Sequence, residues 1–162
     1  MSKDSSSKHS KRGFDPRIVK AHNGYVSAIN SNNTARVMAM YDAEAVIMQP
    51  DGPLITHSSK PVNIRQWVEG YFKAYKTHWV KRSQLIWVAG DYGFDQGHDT
   101  AVDTPRAGGP ISGAPVVKWD VKGILIYKKQ KDGEFLVYRD IWNSNIAPRY
   151  VGGALTGVFA PG

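Results

Sequence analysis

The chain has 162 residues, 41% apolar and 22% charged, which suits one domain with a real core and is short for two. It contains no cysteine, which excludes a disulfide scaffold, a cysteine-ligated metal and a cysteine nucleophile. No apolar run approaches the roughly 18 residues of a membrane span, and the N-terminus lacks the apolar core of a signal peptide. The expectation is therefore a cytoplasmic protein with no membrane partner.

The net charge of +7 is unevenly placed. Lys3, Lys8, Lys11 and Arg12 against Asp4 make residues 1–13 a basic, Ser-rich tail with nothing apolar to bury, which predicts disorder. Residues 60–82 hold six basic side chains against Glu69, interleaved with Trp67, Tyr71, Phe72, Tyr75 and Trp79. Such interleaving can serve nucleic-acid binding. The aromatics fall at helical spacing, however, so the favoured reading is a solvated helix face with its rings turned to the core.

Asp15-Pro16 reads as a helix cap followed by proline in the first turn. Ile18, His22, Tyr25 and Ile29 then form one helix face. After a polar break at Asn30 to Asn33, Val37, Met38, Met40 and Tyr41 predict a second helix of about two turns. Glu44 to Pro50 predicts a short strand closed by a Pro-Asp-Gly-Pro turn. A third helix follows Ser58 and Ser59, with Ile64, Trp67, Val68, Tyr71 and Tyr75 as its apolar stripe. Beyond Thr77 the period becomes two. Strands are predicted over 79–89, 92–103, 116–128 and 135–142, with a Pro/Gly-rich loop over 104–115 and a hairpin turn at Asp132-Gly133. Helices followed by a strand meander predict an α+β fold with the helices on one face of an antiparallel sheet. The division is a tail over 1–13, one domain over 14–147 and a C-terminal extension over 148–162. The extension has apolar spots at Leu155, Val158 and Phe159 and could cover a sheet edge or a pocket mouth, or be loose.

The segments YVSAINSNNTARVMAMYDAEAVIMQPDG, AGDYGFDQG and KKQKDGEFLVYRDIWNSN, in that order and spacing, resemble the NTF2-like superfamily, its SnoaL-like and ketosteroid isomerase-like members above all. The resemblance covers roughly residues 15–147. It implies a curved antiparallel sheet closed into a cone by three N-terminal helices on its concave face, an internal pocket, and a homodimer formed through the outer sheet face. It leaves the reaction open among isomerases, cyclases, dehydratases, hydrolases and members without catalysis. Ketosteroid isomerase uses an Asp base and an oxyanion hole of Tyr and protonated Asp. In this sequence Tyr25 matches the oxyanion tyrosine and Tyr41 a second, supporting tyrosine. The base position holds Gln49, and the second oxyanion acid falls at Gly123 or Leu125. Two of three catalytic positions thus depart from the isomerase pattern.

Another acid could serve. Tyr138, Asp140 and Trp142 alternate along the last strand and so share a face, by resemblance the pocket face. Burial between aromatics would raise the carboxyl's pKa and suit it to acid–base work. The competing reading is a structural carboxylate held by backbone amides or an arginine. His98 is the other titratable candidate, sharing a face with Phe94 and Gln96. Asp91, Asp95 and Asp99 occupy the opposite face, read as a solvent-facing polar side in preference to a metal comb, with no metal and no cofactor expected; which of the two faces turns inward stays open, since the glycines permit a bulge. His22 reads as a buried, satisfied histidine. Trp67, Trp119 and Trp142 could line a pocket for a flat apolar ligand or be plain core. The expected function is proton-transfer chemistry (isomerisation, cyclisation or dehydration) on a small apolar oxygenated substrate. Tyr25, Asp140 and His98 would be catalytic; Tyr41, Gln49, Trp67, Trp119, Tyr138 and Trp142 would bind. The alternative is a non-catalytic ligand-binding or dimerisation module.

Overall fold

The computed structural model describes residues 14–151. Three helices precede most of a seven-stranded sheet: α1 (Pro16–Asn30), α2 (Thr34–Met38), β1 (Tyr41–Met48), β2 (Ile55–Thr56), α3 (Ile64–Ala74), β3 (Tyr75–Ala89), β4 (Tyr92–Pro105), β5 (Val116–Lys129), β6 (Phe135–Ser144) and β7 (Arg149–Val151). The sheet order is β2-β1-β6-β5-β4-β3, with β7 paired to the start of β5. The curved sheet stays open, and the helices lie in its hollow. One pairing differs from the expected antiparallel meander: β1 runs parallel to β6, so the sheet is mixed. The long connection permits it, since α3 and four strands, β2 to β5, lie between β1 and β6, so no hairpin forces the pair to run antiparallel.

Each helix begins as its sequence directs. The Asp15 carboxylate accepts from the Arg17 amide at 2.9 Å and caps α1. Asn33 caps α2, which is shorter than expected; Tyr41 already opens β1. The α3 start is set by Asn63 with a reciprocal bond from its own amide to Gln66, a capping box placed later than Ser58-Ser59. Ile18, Tyr25 and Ala28 of α1 and Ile64, Val68 and Phe72 of α3 enter the core with Ile47, Val137 and Tyr127. The interleaved aromatics of residues 60–82 therefore turn toward the core and the hollow.

Two close approaches fix how the helices sit. A side chain at Gly93 would collide with Ile18 of α1, and one at Gly97 would lie 2.5 Å from the Arg82 carbonyl oxygen. The polar break after α1 also has a task. Asn30 accepts from the Trp79 amide at 2.7 Å and donates to its carbonyl at 2.8 Å, and Asn32 does the same for Thr77 at 2.8 and 3.0 Å. These two side chains pair the free edge of β3 as another strand would, and so hold Thr77, Trp79 and Lys81 in register facing the hollow. The tail at 1–13 and the apolar spots at Leu155, Val158 and Phe159 lie outside the described residues. Within the extension, β7 pairs with Val116 to Lys118.

Candidate active site

The hollow contains a cavity of about 260 Å³. Its walls are mostly rings: Trp67 and Tyr71 from α3, Trp79 from β3, Trp119 from β5 and Trp142 from β6. Trp67 stacks on Tyr71 with centroids 5.6 Å apart, and Trp119 meets Trp142 edge to face at 6.1 Å. Polar atoms enter at few points, namely Asp140 with Tyr25 and Tyr41, Asp103, Lys81 and Gln49.

Asp140 is buried, and one of its oxygens, Oδ2, accepts from Tyr25 at 2.6 Å and from Tyr41 at 3.0 Å. The two phenolic oxygens lie 2.9 Å apart. The two hydroxyl protons directed at Oδ2 make two of the three contacts, and that oxygen acts there as an acceptor only. Oδ1 accepts no hydrogen bond from the described residues. Burial, and then the negative Asp140, push both phenols well above their ordinary value near 10.

The β3–β4 register explains the other polar groups. Thr77 lies directly opposite Asp103, Lys81 opposite Asp99, and all four face the hollow. The Lys81 ammonium pairs with the Asp99 carboxylate, the two side chains only 10% and 9% exposed. Asp103 is fully buried and accepts from the Thr77 hydroxyl, from Tyr71 at 2.7 Å and from the Trp119 indole at 2.7 Å. Burial raises its pKa, opposed by these three donors. Deeper in, Asp95 binds His22 Nδ1 at 2.6 Å.

No family model and no curated protein matches the chain. Solved structures do match. A ketosteroid isomerase-like protein from Erwinia carotovora atroseptica SCRI1043 superposes with a TM-score of 0.63 at 18% identity, covering 81% of this chain and 95% of its own. A putative aromatic ring hydroxylase from Novosphingobium aromaticivorans gives 0.66 at 12% identity, covering 84% and 92%. A putative dehydratase from the NTF2-like family, from Streptomyces avermitilis, gives 0.62 at 12%, covering 82% and 96%. The fold is NTF2-like.

In this NTF2-like hollow Tyr25, Tyr41, Gln49, Trp67, Trp119, Asp140 and Trp142 all line one cavity. Gln49 and Trp142 also line an open groove beside it and so stand at the mouth. Two expected site residues do not line this cavity. In the β5–β6 pairing Ile126 faces Arg139 and Tyr127 faces Val137, so Tyr138 is the extra residue of a bulge. The bulge turns Tyr138 off the Asp140–Trp142 face, and its ring packs against the Arg139 guanidinium at 3.5 Å and against Tyr92. His98 shares its face with Phe94 and bonds Asp120 at 2.8 Å; it lines the open groove with Gln49 and Trp142 but not the Tyr25–Asp140 cavity. The same strand overturns the favoured solvent-facing reading of Asp95 and Asp99. They point into the hollow, not to solvent, each with a cationic or imidazole partner. Asp140 is held by tyrosines rather than by amides or an arginine. Lys81 and Asp103 were missed as site residues, although carboxylates at 95, 99 and 103 recur every four positions and so had to share a face.

The buried phenols give a pH dependence. A tyrosine that stays protonated in the fold while the unfolded chain ionises near 10 stabilises the fold below that pH, and the contribution is lost as the pH rises further. Tyr25, Tyr41, Tyr71 and Tyr127 are all pushed upward by burial. Near-ultraviolet absorbance is expected to show their ionisation only together with loss of circular dichroism above about pH 10; their free titration in the folded protein would contradict the burial.

Proposed function

We propose that this protein moves a proton on a small, flat, oxygen-bearing molecule held among the tryptophans, as an isomerase, cyclase or dehydratase does, with Asp140 as the base. The observation that carries this is the split use of one carboxylate. Oδ2 is held by two tyrosine hydroxyls, while Oδ1 accepts from none of the described residues, and Asp140 lines the cavity. A base must be fixed in direction yet keep an open lone pair. Tyr25 and Tyr41 supply the first condition, which makes them positioning residues here rather than polarisers of a substrate oxygen.

In this reading Oδ1 takes a proton from a carbon next to a carbonyl, the electron pair moves onto the carbonyl oxygen, and the proton returns at another carbon or leaves with a β-substituent. The developing oxyanion finds donors in the Lys81 ammonium and in the Gln49 amide at the mouth. Gln49 stands at the base position of the isomerase pattern, where no carboxylate is left, and Lys81 stands at none of that pattern's catalytic positions. Incubation with 2-tetralone in D2O tests the reading. Wild-type protein is expected to speed deuterium uptake at the carbons beside the carbonyl over a protein-free control. Tight binding without such acceleration would favour the non-catalytic binding module.

The outer face of β3 and β4 supports a second proposal, pairing with another copy of the chain. Val80, Leu85 and Val102 are exposed there beside the stacked Trp87 and Phe94, whose centroids lie 4.8 Å apart. Light scattering is expected to return twice the monomer mass, and Leu85→Lys to halve it; a wild-type monomer would refute the pairing.

A further inference from the structure

The buried carboxylates of the hollow divide into two kinds. Asp95 and Asp99 have His22 and Lys81 against them. Asp103 and Asp140 have only neutral donors: a tyrosine, a threonine and an indole on one, two tyrosines on the other. Among the described residues no lysine, arginine or histidine pairs with either. Both line the aromatic cavity, and Oδ1 of Asp140 accepts from none of the described residues.

Three donors converge on Asp103, and the Trp119 indole can only donate, so the bonding there requires acceptor oxygens. Burial works against that charge and raises the pKa of Asp103, and no cationic side chain among the described residues offsets it. Lys81 lines the same cavity, but Asp99 faces it across the β3–β4 pair and already balances it. The cavity is left with two negative groups and with tryptophan faces, the surfaces that attract an ammonium most strongly.

We propose that the cavity selects a ligand joining a flat apolar ring system to a protonated amine, the ammonium lying among the tryptophan rings between Asp103 and Asp140. At about 260 Å³ the space falls below the usual range for drug-sized ligands, which limits the ring system to one or two fused rings. Asp103 then supplies recognition and Asp140 both recognition and chemistry. The inference rests on the cavity being the ligand site of the proton-transfer reading, and it needs no turnover to be tested.

Calorimetric titration of the full chain at pH 7.5 with tryptamine, tryptophol and indole-3-acetate keeps the ring constant and changes only the charge. Tryptamine is expected to bind about tenfold or more tighter than tryptophol, with the acid weakest. Asp140→Asn, which retains an acceptor for both tyrosines, is expected to shrink the tryptamine preference several-fold, and Asp103→Asn to do likewise where circular dichroism shows it folded. Equal affinities, or a preference for the alcohol or the acid, in the wild-type protein overturn the amine inference and leave the proton-transfer reading standing. A tryptamine preference unchanged by Asp140→Asn also overturns it. No binding of any of the three at millimolar concentration removes both.

Discussion

Lys81→Met is expected to cost the fold about 3–5 kcal/mol, read as a lowered urea midpoint. The Asp99 carboxylate sits directly across the strand pair from Lys81, and both side chains are almost wholly out of water. Methionine fills much of the space of the lysine stem but leaves Asp99 as a buried charge with its cation gone. The companion variant Lys81→Met with Asp99→Leu removes both charges and is expected to recover most of the loss, because a buried ion pair replaced whole by apolar groups is close to neutral. A Lys81→Met protein as stable as wild type would show that water reaches the pair. The same lysine is the cationic donor nearest the aromatic wall, so the double variant, folded but without an ammonium, is the means of separating its support of the fold from its support of an oxyanion.

Asp140→Ala is the second large effect. It strips the acceptor from two phenols that are fully enclosed, at about 1–3 kcal/mol for each unsatisfied hydroxyl. The two losses are not additive, since Tyr25 and Tyr41 remain 2.9 Å apart and one can accept from the other. A drop of about 2–4 kcal/mol is expected by urea denaturation. Asp140→Asn has a different signature. Its amide oxygen can accept from both tyrosines, so the fold is expected to stay within about 1 kcal/mol of wild type while an amide, unlike a carboxylate, cannot serve as a base. Equal stability loss in both variants would mean that the charge, not the acceptor, is what the tyrosines require.

The fold was legible because its signals are local and repeated. The Asp15 cap, the helix faces around Ile18 and Val68 and the Asp132-Gly133 turn each agree with the elements they belong to. The parallel pairing of β1 with β6 was not legible, since no local pattern records which of two distant strands a third one joins. The site was legible where a single residue carried it, as at Tyr25, Tyr41 and Asp140. It failed where one residue of offset decided the outcome. Strict alternation put Tyr138 beside Asp140, and a bulge of one residue reversed it. For β4 the two faces were correctly separated but which of them turns inward was not legible, because aspartates at 95, 99 and 103 look solvated until their partners are known. Those partners, His22 on α1 and Lys81, Thr77 and Tyr71 elsewhere, come from across the fold.

The measurement that bears most directly on the base assigned here compares wild type with folded Asp140→Asn for deuterium uptake into 2-tetralone at equal ligand occupancy. A fall of about 10²–10⁴-fold in the exchange rate, with binding of the ketone retained, is the expected result. Exchange at an undiminished rate in the Asn variant would contradict it and move the base away from Asp140.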